Sequence, residues 1–143
     1  MRDGIDCQTN SIRKVRNNKM KLYTLKIYPE GWGRHANRVV EAPETMTLRK
    51  LCEMILVAFD FDESHMYEFL VPDCIEMNQA AKTTLKSLDL SPKSKIILHY
   101  DFGDDWMFII NVQKVQETTK AKYRIVSSKG EVPQYPDDEE EDW

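Results

Sequence analysis

The chain of 143 residues contains no apolar run near the roughly 18 residues that a membrane-spanning helix requires. Its opening stretch, Met1 to Met20, is polar and lacks the apolar segment of a secretory signal. Cysteine is scarce. Cys7, Cys52 and Cys74 are odd in number and widely spaced, which argues against a disulfide framework and against zinc pairs of the CxxC type. A reduced, cytoplasmic protein with no membrane association is the expectation. Motifs of catalysis are missing too: there is no GxSxG, no P-loop and no GxGxxG, and His35, His65 and His99 form neither HxxxH nor HxH. No internal repeat is visible.

What is present suits one domain. With 41% hydrophobic and 31% charged residues, the body is neither disordered nor membranous. Its length can bury a core without help from a metal or disulfide. The net charge of -4 is unevenly spread. Residues 1–26 carry seven cations against Asp3 and Asp6, whereas residues 131–143 carry seven carboxylates and no cation. We read both ends as solvated tails, expected to be mobile. The sharper readings are a basic arm on nucleic acid, or an acidic end masking a basic surface. Met20 stands directly before the first strand-like run. The expected organisation is therefore a flexible basic extension over 1–19, a single domain over 20–136 and an acidic tail over 137–143.

Within that domain Tyr23, Leu25 and Ile27 alternate with polar residues, which predicts a half-buried strand ended by Pro29-Glu30-Gly31. A second strand is expected over Arg38–Ala42. Leu48, Leu51, Cys52, Ile55, Leu56 and Phe59 form the clearest signal, an apolar stripe at helical spacing with Thr47 as N-cap. Cys52 falls within the stripe and reads as a small buried hydrophobe. His65–Val71 alternates as a strand. Cys74–Lys82 carries no clear pattern, and Thr84–Leu90 reads as a helical turn. Ile96–Tyr100 and Trp106–Val112 alternate on either side of Phe102-Gly103-Asp104-Asp105, which predicts a hairpin whose Gly103 supplies a positive φ. Tyr123–Val126 is a last short strand. The order predicts an α+β fold: a mostly antiparallel sheet packed by one main amphipathic helix plus a short helical turn, roll-like in outline.

The run Tyr100-Asp101-Phe102-Gly103-Asp104-Asp105-Trp106 resembles the YDFGD-W motif of the plasmid pRiA4b ORF-3-like family, proteins often found on mobile elements. Other landmarks follow in matching order. Trp32 and Arg34 are similar to the family's early Trp-Arg pair, here interrupted by Gly33. Phe59-Asp60-Phe61 is similar to the end of its helix, and His65-Met66-Tyr67-Glu68-Phe69 to its His-Leu-x-x-Phe. Gly130 to Pro136 resembles its C-terminal stretch. The likeness covers roughly residues 20–137. One departure is Phe108, where the family often places a histidine two residues after the motif tryptophan. The resemblance implies a compact α+β roll and brings no settled biochemical activity.

Asp101, Asp104 and Asp105 gather with His99 around the motif turn. Carboxylates and an imidazole can bind a divalent cation or exchange protons. Aspartates also build turns, by accepting bonds from local N–H groups, and that is the reading adopted here, with no metal and no cofactor expected. The Asp-Phe-Gly string has no kinase loops around it. His65 reads as a hydrogen-bonded structural residue. The aromatics Trp32, Tyr67, Phe69, Tyr100, Phe102, Trp106 and Phe108 read as core, with Trp32 and Phe102 the exposed exceptions, although such a set could also stack single-stranded bases. The functional expectation is a small interaction module, leaning non-enzymatic, that binds a protein or nucleic-acid partner through its loops. The alternatives are a metal-assisted hydrolase centred on Asp101, Asp104, Asp105 and His99, and a nucleic-acid accessory factor of a mobile element. A pI near 5.4 works against the last, because backbone binding needs a positive face. Oligomeric state is not legible.

Overall fold

The computed structural model describes residues 19–135. The tails expected to be mobile, residues 1–19 and 137–143, lie outside that range apart from Lys19. Seven strands form one sheet: β1 (Met20–Pro29), β2 (Asn37–Pro43), β3 (Tyr67–Val71), β4 (Asp73–Glu76), β5 (Lys95–Tyr100), β6 (Trp106–Thr118) and β7 (Arg124–Lys129). Their order is β4-β3-β5-β6-β1-β2-β7 and all neighbouring pairs are antiparallel. Helix α1 (Leu48–Ala58) is the main helix, followed by the single turn α2 (Met77–Ala80) and a 3-10 turn at Lys86–Leu88. The expected α+β class is what the chain adopts, dominated by its sheet.

Period two sorts each strand into faces. Tyr23, Leu25 and Ile27 of β1 point inward, as do Val40 and Ala42 of β2, Phe69 of β3, Ile96, Leu98 and Tyr100 of β5, and Phe108, Ile110 and Val112 of β6. The stripe of α1 predicted from spacing buries Leu48, Leu51, Cys52, Ile55 and Leu56 against them. Thr47 caps α1 as expected, its hydroxyl accepting from the Lys50 N–H at 3.1 Å. Phe108, standing where the family often has histidine, is fully buried.

The end of α1 explains Phe59-Asp60-Phe61. Asp60 takes φ 59°, its N–H donates to Val57 O and the Phe61 N–H donates to Leu56 O at 2.7 Å. This is a Schellman stop with aspartate in the place usually taken by glycine. Arg38, buried on the inner face of β2, donates from Nε to Ala58 O at 2.9 Å and lies 4.5 Å from the Phe59 ring centre. A cation thus satisfies an end carbonyl of the helix and complements its dipole.

The structure also supplies what the pattern left blank. Residues 73–80 form edge strand β4 and α2, whose apolar residues follow no clear period because the edge is largely exposed. On the outer face an apolar row crosses four strands, Leu70–Ile97–Ile109–Tyr28. It separates Glu68 and His99 on one side from Lys26 and Asn111 on the other.

Candidate functional site

The motif turn is built from backbone demands first. Tyr100 ends β5 and is fully buried. Its hydroxyl accepts from the His65 N–H at 3.1 Å and donates to the Asp62 carbonyl, so it ties the loop before β3 to the turn. Asp101 follows with φ 66° and is only 7% exposed. Its Oδ1 accepts from the N–H groups of Gly103 at 3.1 Å and Asp104 at 3.4 Å. Its own N–H donates to Met66 O at 2.8 Å, and its carbonyl accepts from the Asp105 N–H at 2.6 Å. The expected bonding of turn N–H groups by aspartate is therefore seen.

The expected positive φ at Gly103 is not. Asp101 and Asp105, at φ 66° and 55°, hold the left-handed positions, and Gly103 is outside that region. Aspartate visits this conformation more readily than most residues, and the four hydrogen bonds just described, two to the Asp101 carboxylate and two between backbone groups, over-determine it here. Trp106 opens β6 and meets Phe61 edge-on at 4.8 Å, so the motif tryptophan clamps the helix stop to the turn. Phe102 is 45% exposed as expected, but Trp32 is half-buried against the core.

The two histidines near the motif land in separate networks. His65 places Nε2 2.7 Å from the Tyr135 hydroxyl and 3.6 Å from Asp101 Oδ2. Gln134 closes this network, its Oε1 accepting from the Asp62 N–H at 2.5 Å. His99, on the outer face, sits between two carboxylates: Nδ1 is 2.8 Å from Glu68 Oε2 and Nε2 is 2.7 Å from Asp105 Oδ1. Burial pulls its basicity down, and the bonds to Glu68 and Asp105 outweigh that, so its pKa is raised. The bond from His99, reinforced by the Cys74 thiol donating at 3.1 Å, holds the Glu68 carboxyl below its ordinary range. Asp105 is thus the turn carboxylate that engages His99. Asp104 is exposed and Asp101 belongs to the His65 side, so the structure divides the expected cluster rather than gathering it.

A cavity of 510 Å³ opens beside His65 and is lined among others by Arg49, Cys52, Glu53, Tyr67 and Tyr100. Burial pushes the Cys52 thiol well up and the Tyr67 hydroxyl up to about 12, so both stay protonated near neutral pH. Among the described residues, no three His, Cys, Asp or Glu side chains are grouped to hold a metal ion.

Trp32 and Arg34 lie elsewhere. They occupy the β1–β2 loop, where Gly31 at φ 87° completes a turn closed by the Trp32 N–H donating to Pro29 O at 2.9 Å. The Trp32 carbonyl then accepts from the His35 and Ala36 N–H groups, both at 2.8 Å. Arg34 projects into an open hollow of 890 Å³ with Lys26, Tyr28, His35, Asn37 and Lys129 in its lining. None of residues 100–106 lines it. Sequence reasoning missed Lys26, Lys129, Glu68 and Tyr135. Lys26 and Glu68 were findable as the polar partners in alternating strands, once the register Lys26–Asn111 and Glu68–His99 was known.

A family model described as plasmid pRiA4b ORF-3-like protein matches residues 21–141. Among solved structures, the crystal structure of a protein of unknown function from Methanosarcina mazei Go1 is similar, with a TM-score of 0.69 and 23% identity over 81% of this chain and 74% of that one. That likeness is one of fold. No curated protein matches the chain.

Proposed function

The chain belongs to the plasmid pRiA4b ORF-3-like family, and we propose that it works as a non-enzymatic interaction module that engages an anionic partner through its β1–β2 loop. One observation carries this reading: the ten residues lining the 890 Å³ hollow include Lys26, Arg34 and Lys129 and no carboxylate, in a chain whose net charge is -4. A local positive concavity attracts an anion whatever the sign of the whole molecule. The motif turn offers a contrast that supports the same reading. Its Asp101 carboxylate and Tyr100 hydroxyl spend their bonds on loop backbone, which is the work of a fold determinant. We place this activity in a reducing compartment, since Cys52 and Cys74 are free thiols.

The test is retention on immobilised heparin, a polyanion. The full chain should bind at low ionic strength and elute with rising salt, and Lys26→Gln combined with Lys129→Gln should elute markedly earlier with an unchanged melting midpoint. Flow-through of the unaltered chain at low salt would remove the reading.

A further inference from the structure

Resting on that reading, we propose that the hollow at the β1–β2 end of the outer sheet face binds a short segment of single-stranded nucleic acid. The lining combines three kinds of group that such a strand needs. Lys26, Arg34 and Lys129 supply cations for the phosphates, with His35 beside them. Asn37, Asn111 and Gln113 supply amides, each with donors and an acceptor for base edges. Tyr28 supplies an aromatic ring.

The backbone arranges these groups together. Lys26 pairs with Asn111 across β1 and β6, and Asn37 pairs with Lys129 across β2 and β7. The register of β1 on β6 shifts where Thr24 faces Lys114 and Leu25 faces Val112, which leaves Gln113 as the extra residue of a bulge. Bulges re-aim side chains, and this one adds Gln113 to the lining. The Tyr28 ring is held in place from two directions. Its hydroxyl accepts from Asn111 Nδ2 at 3.2 Å, and Gly33 approaches so closely that a Cβ there would sit 3.3 Å from the ring. Asn37 Nδ2 in turn donates to Gly33 O at 3.1 Å, which fixes that stretch of loop. An aromatic ring with few accessible rotamers loses little freedom on stacking.

Shape selects the single strand. A duplex is read by a helix or ribbon that projects into a groove. Here the cations line a concavity on a sheet, and the main helix packs on the opposite face. The hollow is open and shallow, so an extended strand can lie along it without being enclosed.

The chain itself offers a competing occupant. Residues 137–142 are all acidic. Lys129 is six residues before Tyr135, so it lies within about 20 Å of it, a span that six or seven extended residues beyond Tyr135 can also cover.

Fluorescence anisotropy on the full chain tests the proposal, with labelled 12-mer oligo-U and oligo-dT, a 12-base-pair duplex, and unlabelled heparin as competitor. The single strands should bind more tightly than the duplex. Three to four phosphate contacts predict a roughly 20- to 50-fold loss of affinity between 50 and 200 mM salt. Lys26→Gln with Lys129→Gln should weaken binding and reduce the slope of log affinity against log salt by about 1.4. Tyr28→Leu should weaken binding roughly 5-fold or more and leave that slope unchanged, as lost stacking does. Should Tyr28→Leu not fold, the lysine pair decides the matter on its own. A full chain with residues 137–142 changed to Asn and Gln should bind at least as tightly. Binding seen only in that variant supports the hollow if adding Lys26→Gln and Lys129→Gln to it weakens that binding, and overturns the proposal if it does not. Heparin binding without oligonucleotide binding in either form, or tighter binding of the duplex, overturns the nucleic-acid inference and leaves the anion-binding reading standing. Failure to bind heparin as well removes both.

Discussion

The turn at residues 100–106 and the loop at residues 29–37 both connect antiparallel strands, contain glycine and carry the residues that stand out in the sequence. They use their polar groups in opposite ways. In the turn, Asp101 is 7% exposed and bonds the N–H groups of Gly103 and Asp104, while Tyr100 joins residues 62 and 65 from inside the core. In the loop, backbone closes backbone through Pro29, Trp32 and Ala36, so Arg34 and the cations flanking the loop are left facing solvent. A distinctive string of polar residues therefore marks a folding constraint in one place and an opportunity for a ligand in the other. What separates them is whether the conspicuous side chain itself bonds the bend, as the Asp101 carboxylate does, or lines a hollow beside it, as Arg34 does.

Breaking the loop should have the largest effect. Gly130 follows β7 at φ 69°, and a Cβ there would lie 1.9 Å from the His35 carbonyl oxygen and 2.9 Å from its carbonyl carbon. Both atoms are backbone, so no rotamer change relieves the clash. Left-handed strain adds roughly 1–2 kcal/mol. We expect Gly130→Ala to destabilise the fold by about 3 kcal/mol or more, among the severe single substitutions. Urea denaturation measures it. A loss below about 1 kcal/mol would show that the β1–β2 loop yields freely and is no fixed scaffold.

How much of this was readable from the chain differs between the two regions for the same reason. The inner face was legible because burial imposes period: Leu48 to Phe59 at helical spacing and Phe108, Ile110 and Val112 at strand spacing have to be apolar wherever the strands pair. The edge strand β4 was not, because Asp73–Glu76 is mostly exposed and no period is enforced on it. The hollow was invisible for another reason. Lys26, Asn37, Asn111 and Lys129 are distant in sequence and become neighbours only through the order β6-β1-β2-β7. Likewise, the aspartates near His99 suggested one cluster, and the faces of the sheet divided it. Asp105 reaches His99 on one side and Asp101 approaches His65 on the other.

The His99 network sharpens the comparison at a smaller scale, because it shows motif-turn polar groups acting on stability in a pH-dependent way. Burial lowers the imidazole pKa, but the bonds to Glu68 and Asp105 raise it further than burial lowers it. A raised folded pKa gives a contribution that is full below the ordinary imidazole value of 6.5 and lost as pH rises through the folded value. Glu68 is depressed, first by its bond to His99 and then by that from Cys74. Its contribution is present above the ordinary value of 4.5 and lost as pH falls through the folded value. Both act together between those ordinary values. Asp105 is 62% exposed on its side chain, so screening keeps the total small. His99→Gln should cost about 1 kcal/mol at pH 5.5 and clearly less at pH 8.5 in urea melts. An equal cost at both values would mean that the imidazole acts only by packing.

The smallest effect belongs to the residue that the sequence makes most conspicuous. Gly103 sits at the centre of the motif turn, where positive φ is the natural expectation for glycine. The structure assigns positive φ to Asp101 and Asp105 instead, so a side chain at position 103 meets no left-handed strain. A Cβ there would meet only Asp101 Oδ1, at 3.4 Å, an ordinary contact. The Gly103 N–H that donates to the same oxygen is kept in an alanine. Replacing glycine also removes conformational freedom from the unfolded chain, which favours the folded state by a few tenths of a kcal/mol. Gly103→Ala should therefore change stability by less than about 0.5 kcal/mol, in sharp contrast to Gly130→Ala, which makes the same chemical change at a position that backbone encloses. A loss above about 1.5 kcal/mol for Gly103→Ala would place the left-handed residue at 103 after all. The aspartates would then be guests of the turn, no longer the residues that set it.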